Sequence, residues 1–202
     1  MNTASSGDKA RRNTRTRAKI RRALTELIVE KGFDALTVSD LTRRAGVNRG
    51  TFYLHFVDKF DALEQLEDEL ISNLREALVH PDAAREAQNA CDMFPYPLLL
   101  QALTIVAADF DFVAAISGKG GDPEFHSRLK SVISGLLDQG LELTHSQVKC
   151  DRFPYEYARE LTISHVMSII NLWLERGGVE TPEEVARMIV AAKDVRPIDL
   201  VG

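Results

Sequence analysis

Between Asn48 and Thr51 the chain reads Asn-Arg-Gly-Thr, a guanidinium and a hydroxyl on either side of a residue with no side chain. An arginine offers two parallel donors to a base edge, a threonine adds a hydroxyl and a methyl, and the glycine permits close approach. That is the chemistry of reading a surface, not of making bonds. Upstream lie Lys9, Arg11, Arg12, Arg15, Arg17, Lys19, Arg21 and Arg22, with no acidic residue after Asp8. Such a run suits phosphate contact. A membrane-surface helix or a solvated tail has the same composition, so the residues next in the chain decide the reading.

Those residues supply elements that would position Arg49 and Thr51. Thr37 and Asp40 form a Thr-x-x-Asp capping box, and Val38, Leu41 and Ala45 then fall on one helical face. Gly46 stands where the chain must turn through left-handed backbone angles. Asn48 can cap the next helix, whose Phe52 and Phe56 share a buried face while Gly50, Thr51 and Leu54 lie opposite. A supporting helix from Thr16 carries Ile20, Ala23, Leu24, Leu27 and Ile28 at helical spacing and ends at Gly32, before Phe33. Three helices in this order form a helix-turn-helix, whose second short helix enters a major groove.

The segment from Thr16 to about Leu66 resembles the DNA-binding domain of TetR/AcrR-type transcriptional regulators. The resemblance rests on Gly-Phe-Asp-Ala-Leu-Thr-Val at 32–38, Ala45-Gly46-Val47, Thr51-Phe52-Tyr53, and His55-Phe56 before Asp58-Lys59. It implies that Thr37, Tyr53, His55 and Lys59 contact phosphates and that Ser39, Arg49, Gly50 and Thr51 lie at or near base edges. Asn48 fits either role. Leu54 stands where such regulators often have a second aromatic ring. Taken singly, Tyr53 could be a packing aromatic, Thr37 only a cap and His55 a structural histidine; as a set at fixed spacing they read as a DNA surface.

Charge divides the chain. Residues 1–59 carry 13 basic and 6 acidic side chains, the remainder 12 and 24, so a +7 head precedes a −12 body within a net charge of −5. The basic part suits nucleic acid. No stretch approaches the ~20 apolar residues of a membrane span, and no apolar signal core follows the basic N-terminus, so a cytoplasmic protein without membrane partners is expected. Cys91 and Cys150 are far apart and outside any CxxC or His cluster, so reduced thiols and no metal or cofactor are expected. No glycine elbow with Ser, His and Asp, no metal-ligand spacing and no dinucleotide motif is present, which argues against an enzyme.

The expected fold is all-α with about nine helices: a basic disordered tail at 1–13, a helix-turn-helix domain at 14–60, and a helical effector-sensing and dimerisation domain at 61–202. Asp58 caps a helix with an apolar stripe at Leu63, Leu66, Leu70, Ile71 and Leu74. Helices are expected at 98–108 and 109–116, then a Ser-Gly-Lys-Gly-Gly connector at 117–121, then helices from Asp122-Pro123 to about Thr144, from Tyr155 to Arg176, and from Thr181 onward. The 155–176 helix is apolar on most sides and calls for a second subunit as cover. Leu161, His165, Ile169, Leu172, Trp173, Val185, Met188 and Ile189 are its expected interface. A two-fold dimer would read a pseudo-palindromic operator on double-stranded DNA, with half-sites about 34 Å apart.

An effector pocket among the body helices would draw on Met93, Phe94, Tyr96, Phe110, Phe112, Met167 and Trp173, with His126 and His165 as polar companions. Aromatic and methionine residues at this spacing serve equally as plain core. The segment from Asn171 to Glu184 resembles the TetR subgroup containing the dihydroxyacetone kinase operon regulator, some members of which signal through a protein partner. The functional expectation is a dimeric DNA-binding regulator, a repressor released by a small molecule. The alternative is a co-regulator of the same fold that acts through a protein.

Overall fold

The computed structural model describes residues 4–78, 94–143 and 154–192, with side chains from Thr14 onward. Among them the chain forms α1 (Ala4–Lys31), α2 (Val38–Ala45), α3 (Arg49–Tyr53), α4 (Lys59–Leu78), α5 (Tyr96–Ala108), α6 (Phe110–Ser117), α7 (Phe125–Leu143), α8 (Tyr155–Glu175) and α9 (Pro182–Ala192), and no strand. Met93, Cys91 and Cys150 lie outside the described residues. Among those described, no single helix is long and apolar enough to cross a membrane, and no group of side chains could hold a metal ion.

Two compact units emerge, and the first is discontinuous: residues 1–70 together with 111–125. Its core is Ile20, Leu24, Leu27 and Ile28 of α1, Leu41 of α2, Phe52 and Phe56, Leu63 and Leu66 of α4, and Phe112, Val113 and Ile116 of α6, all buried. This unit runs past the boundary expected at 60/61. The first half of α4 belongs with the helix-turn-helix, because its apolar stripe faces the same core.

Nor is the 117–121 segment a loose connector. The Phe33 N–H donates to Gly120 O at 2.8 Å and the Asp122 N–H to Ile116 O at 2.9 Å. A Cβ on Gly120 would stand 3.1 Å from the Gly32 Cα, and one on Gly121 only 2.0 Å from the Ile116 carbonyl oxygen. Glycine is required here by space, as two backbones pass in contact.

Two other boundaries shift. α1 starts at Ala4, inside the stretch expected to be a disordered tail; from Asp8 to Arg22 nothing in the sequence breaks a helix. α7 starts at Phe125 and not at Asp122-Pro123: Asp122 accepts the Glu124 N–H at 3.0 Å, and its carbonyl accepts the Phe125 N–H, so these residues form a turn that precedes the helix.

The second unit comprises residues 71–110 and 126–202. Here α9 packs on α5 and α8. Gly177 (φ 77°) and Gly178 (φ 68°) end α8 in left-handed geometry. Thr181 and Glu184 then cap α9 reciprocally, the Thr181 N–H donating to Glu184 at 2.8 Å and the Glu184 N–H to Thr181 at 3.3 Å.

Candidate DNA-reading surface

The surface is built on two caps and a glycine. Thr37 is extended (φ −122°, ψ 161°) and Asp40 closes the capping box with it. The Asp40 carboxylate also accepts hydrogen bonds from Thr37 Oγ1, Lys31 and Arg43, each at 2.7 Å. Lys31 first, and then Thr37, hold that carboxyl well below the usual carboxylate range. Gly46, at φ 63° and ψ 39°, ends α2 in the left-handed region. Asn48 Oδ1 accepts the Thr51 N–H at 2.7 Å and starts α3.

Phe52 and Phe56 pin α3 from below, 0% and 2% exposed. On the outer side Asn48, Arg49, Gly50, Tyr53 and Leu54 are exposed and Thr51 is half-buried. The Arg49 guanidinium donates to Ser39 Oγ, so two residues expected at base edges come together from different helices. Arg43 lies four residues after Ser39 on the same face of α2 and its side chain is 80% exposed. It is an outward cation that the sequence reading passed over, although the i to i+4 spacing carried the signal.

The expected phosphate contacts occupy different settings. Tyr53 is 56% exposed, its ring edge-on to Phe52 at 5.5 Å. His55 is half-buried; burial, and then the charge of Arg17, pull its pKa below the ordinary value, which favours the uncharged imidazole. Lys59 turns inward. Its ammonium donates to the carbonyls of Phe33, Asp34 and Leu36 at 3.1, 2.9 and 3.1 Å.

The basic run upstream divides as well. Arg17 donates to Gln65 at 3.0 Å and to Glu69, Arg21 to Glu69 at 2.9 Å, and Arg22 to Glu26 at 2.9 Å. Arg17 also lies over the Phe56 ring at 4.8 Å and Arg21 over Phe112 at 5.3 Å. Arg17 and Arg21, read from sequence as phosphate-facing, tie α1 to α4 and α6. Arg15 and Lys19 are exposed.

In the second unit Phe94, Met167 and Trp173 are buried, and Tyr96 and Phe110 half-buried. Trp173 Nε1 donates to Glu180 O at 2.8 Å and the indole meets Phe110 edge-on at 5.2 Å. Phe112, expected beside them, belongs to the first unit. His126 is exposed. An open cleft of about 510 Å³ lies elsewhere, between α4 and α5, lined by Asn73, Glu76, Ala77, Gln101, Ile105, Ala108 and Asp109.

Of the expected interface residues, Leu161, Leu172 and Met188 are exposed at 57%, 56% and 43%; His165 and Ile169 are half-buried. Trp173, Val185 and Ile189 are 3%, 0% and 3% exposed. They serve the chain's own core, because α9 spends its apolar face on α5 and α8. Tyr157, 66% exposed one turn before Leu161, extends the outward stripe.

Comparison with known proteins agrees with this geometry. The family model for bacterial regulatory proteins of the tetR family matches residues 20–66, and that for a transcriptional regulator C-terminal region matches 95–192. An uncharacterized HTH-type transcriptional regulator of Bacillus subtilis (strain 168), YxbF, is 26% identical over 177 residues, which are 85% of this chain and 43% of that protein; the chain thus spans less than half the length of this relative. Two solved structures share the fold. FadR of Bacillus subtilis, in complex with stearoyl-CoA, superposes with a TM-score of 0.58 at 20% identity, covering 86% of this chain and 97% of that one. The dihydroxyacetone kinase operon activator DhaS superposes with a TM-score of 0.58 at 18% identity, covering 88% and 93%. With a helix-turn-helix within the first match and a regulator C-terminal region in the second, the chain belongs to the TetR family, whose members are transcriptional regulators and not enzymes.

Proposed function

We propose that this protein is a cytoplasmic, homodimeric, sequence-specific DNA-binding repressor, released by a small-molecule effector. The observation that carries the reading is the exposed start of α3, where Arg49, Gly50 and Thr51 stand beside Ser39 of α2 on a scaffold fixed by Phe52 and Phe56. Arg49, Ser39 and Thr51 read base edges; Asn48, Thr37, Tyr53 and His55 hold the backbone, joined by Arg43.

The dimer forms through the outward stripe of α8, Tyr157, Leu161 and Leu172, with half-buried His165 beside it and Met188 of α9 at its margin. A self-complementary helical face of this kind suits a two-fold interface. Two copies of α3 then meet successive major grooves of a pseudo-palindrome.

An effector acts only by binding one arrangement of the heads better than another. The α4–α5 cleft offers it a place. Glu76 on its wall favours a cationic or hydroxyl-rich molecule over an anionic one such as an acyl-CoA. Selection of bound duplexes from a random DNA library, followed by affinity at several salt concentrations, tests the reading. A pseudo-palindrome bound at nanomolar affinity, with steep salt dependence, is the expected result. Failure to enrich any sequence would favour the co-regulator alternative.

A further inference from the structure

Lysine is an odd choice for the first residue of α4, where the positive end of the helix dipole disfavours a cation. Asp58 already caps that helix, accepting the Phe60 and Asp61 N–H groups at 2.8 and 2.9 Å. The Lys59 ammonium has three protons and three carbonyl partners, at Phe33, Asp34 and Leu36. It also lies 4.9 Å from the Phe33 ring centre and 5.0 Å from that of Phe60, and these two rings meet edge-on at 5.4 Å. A cation facing two aromatic faces and three carbonyl oxygens is fully engaged, with no donor left for a phosphate.

All three carbonyls belong to the turn joining α1 to α2. The residue after Leu36 is Thr37, the cap on which α2 begins, and α2 supplies Ser39 and Arg43 to the reading face. Lys59 itself follows the α3–α4 turn. The clamp thus fastens the entrance of α2 to the exit of α3, across more than twenty residues of sequence.

We infer that Lys59 is a positioning residue that sets the spacing of α2 and α3 by caging its ammonium on the α1–α2 turn, and that it does not contact DNA. The clamp exists in the protein without DNA, so its test separates from that of operator binding. In the full-length DNA-free protein, Lys59→Met should speed hydrogen exchange of the 32–41 amides at least tenfold, and Lys59→Arg should not restore protection, because a planar fork cannot serve three converging carbonyls. On the duplex selected by the wild-type protein, Lys59→Met should weaken binding while leaving the slope of log affinity against log salt unchanged. A phosphate contact predicts the reverse: unaltered exchange, a slope shallower by about 0.9, and affinity retained by arginine. That outcome overturns the clamp. Should Lys59→Met fail to fold, the wild-type protein decides. A slowly exchanging ammonium signal in ¹⁵N-lysine spectra, lost in Lys59→Arg and unmoved by the duplex, supports the cage, and no such signal overturns it.

Discussion

Gly120 and Gly32 touch through their backbones: the residue after Gly32 donates its N–H to Gly120 O at 2.8 Å, and a side chain on Gly120 would meet the Gly32 Cα at 3.1 Å. The end of α1 and the loop after α6 are therefore one surface. Gly120→Ala should destabilise the protein by ~1–3 kcal/mol, and Gly121→Ala, whose Cβ would collide with a rigid carbonyl, by at least as much. Thermal denaturation checks both, and a wild-type melting temperature in either variant would remove the close approach as a constraint.

Arg49 is the sharpest probe of reading. Arg49→Ala should cost ~1–3 kcal/mol on the best duplex and flatten the preference at one position of each half-site, with little effect on unrelated DNA. Competition binding against single-substitution duplexes measures this; equal loss on every sequence would reassign Arg49 to the backbone.

His55 gives a pH dependence with a defined sign. Its pKa in the free protein lies below the ordinary value because of burial and Arg17. Approach of a phosphate raises it, so the complex binds more protons than its components and affinity climbs as pH falls from about 7.5 to about 5.5. The folding equilibrium moves the other way, since a depressed histidine contributes stability above its unfolded pKa that is lost as pH falls through the folded one. His55→Gln should abolish the affinity trend. A trend that survives the substitution would place the proton elsewhere.

Leu161→Glu with Leu172→Glu should convert the dimer to a monomer without melting it, because both side chains are more than half exposed in the chain. Light scattering at micromolar concentration reads the mass, and a dimer that persists would exclude this stripe as the interface.

The helix-turn-helix was legible because its determinants are local: Thr37 with Asp40, Gly46, Asn48, and Phe52 with Phe56 act within four residues of one another, and each is found as expected. The features that were missed depend on partners distant in sequence. Arg17 and Arg21 look like phosphate ligands until Glu69, about fifty residues on, accepts from both. Lys59 looks like another until its carbonyl partners at 33, 34 and 36 are seen. Trp173 fits an interface by periodicity, yet its indole N–H is needed at Glu180 O. Periodicity assigns a residue to a face but does not say whether a neighbour or water covers that face.

Because residues 111–125 complete the first unit, the reading head is not a cassette that can be cut out as one continuous segment. A fragment ending at Leu78 would lack Phe112 beneath Arg21 and the Gly120 carbonyl at Phe33. Head exchange between relatives therefore requires transplanting two stretches of sequence together, and recombination that moves only the first seventy residues would pair each α1 with a foreign α6.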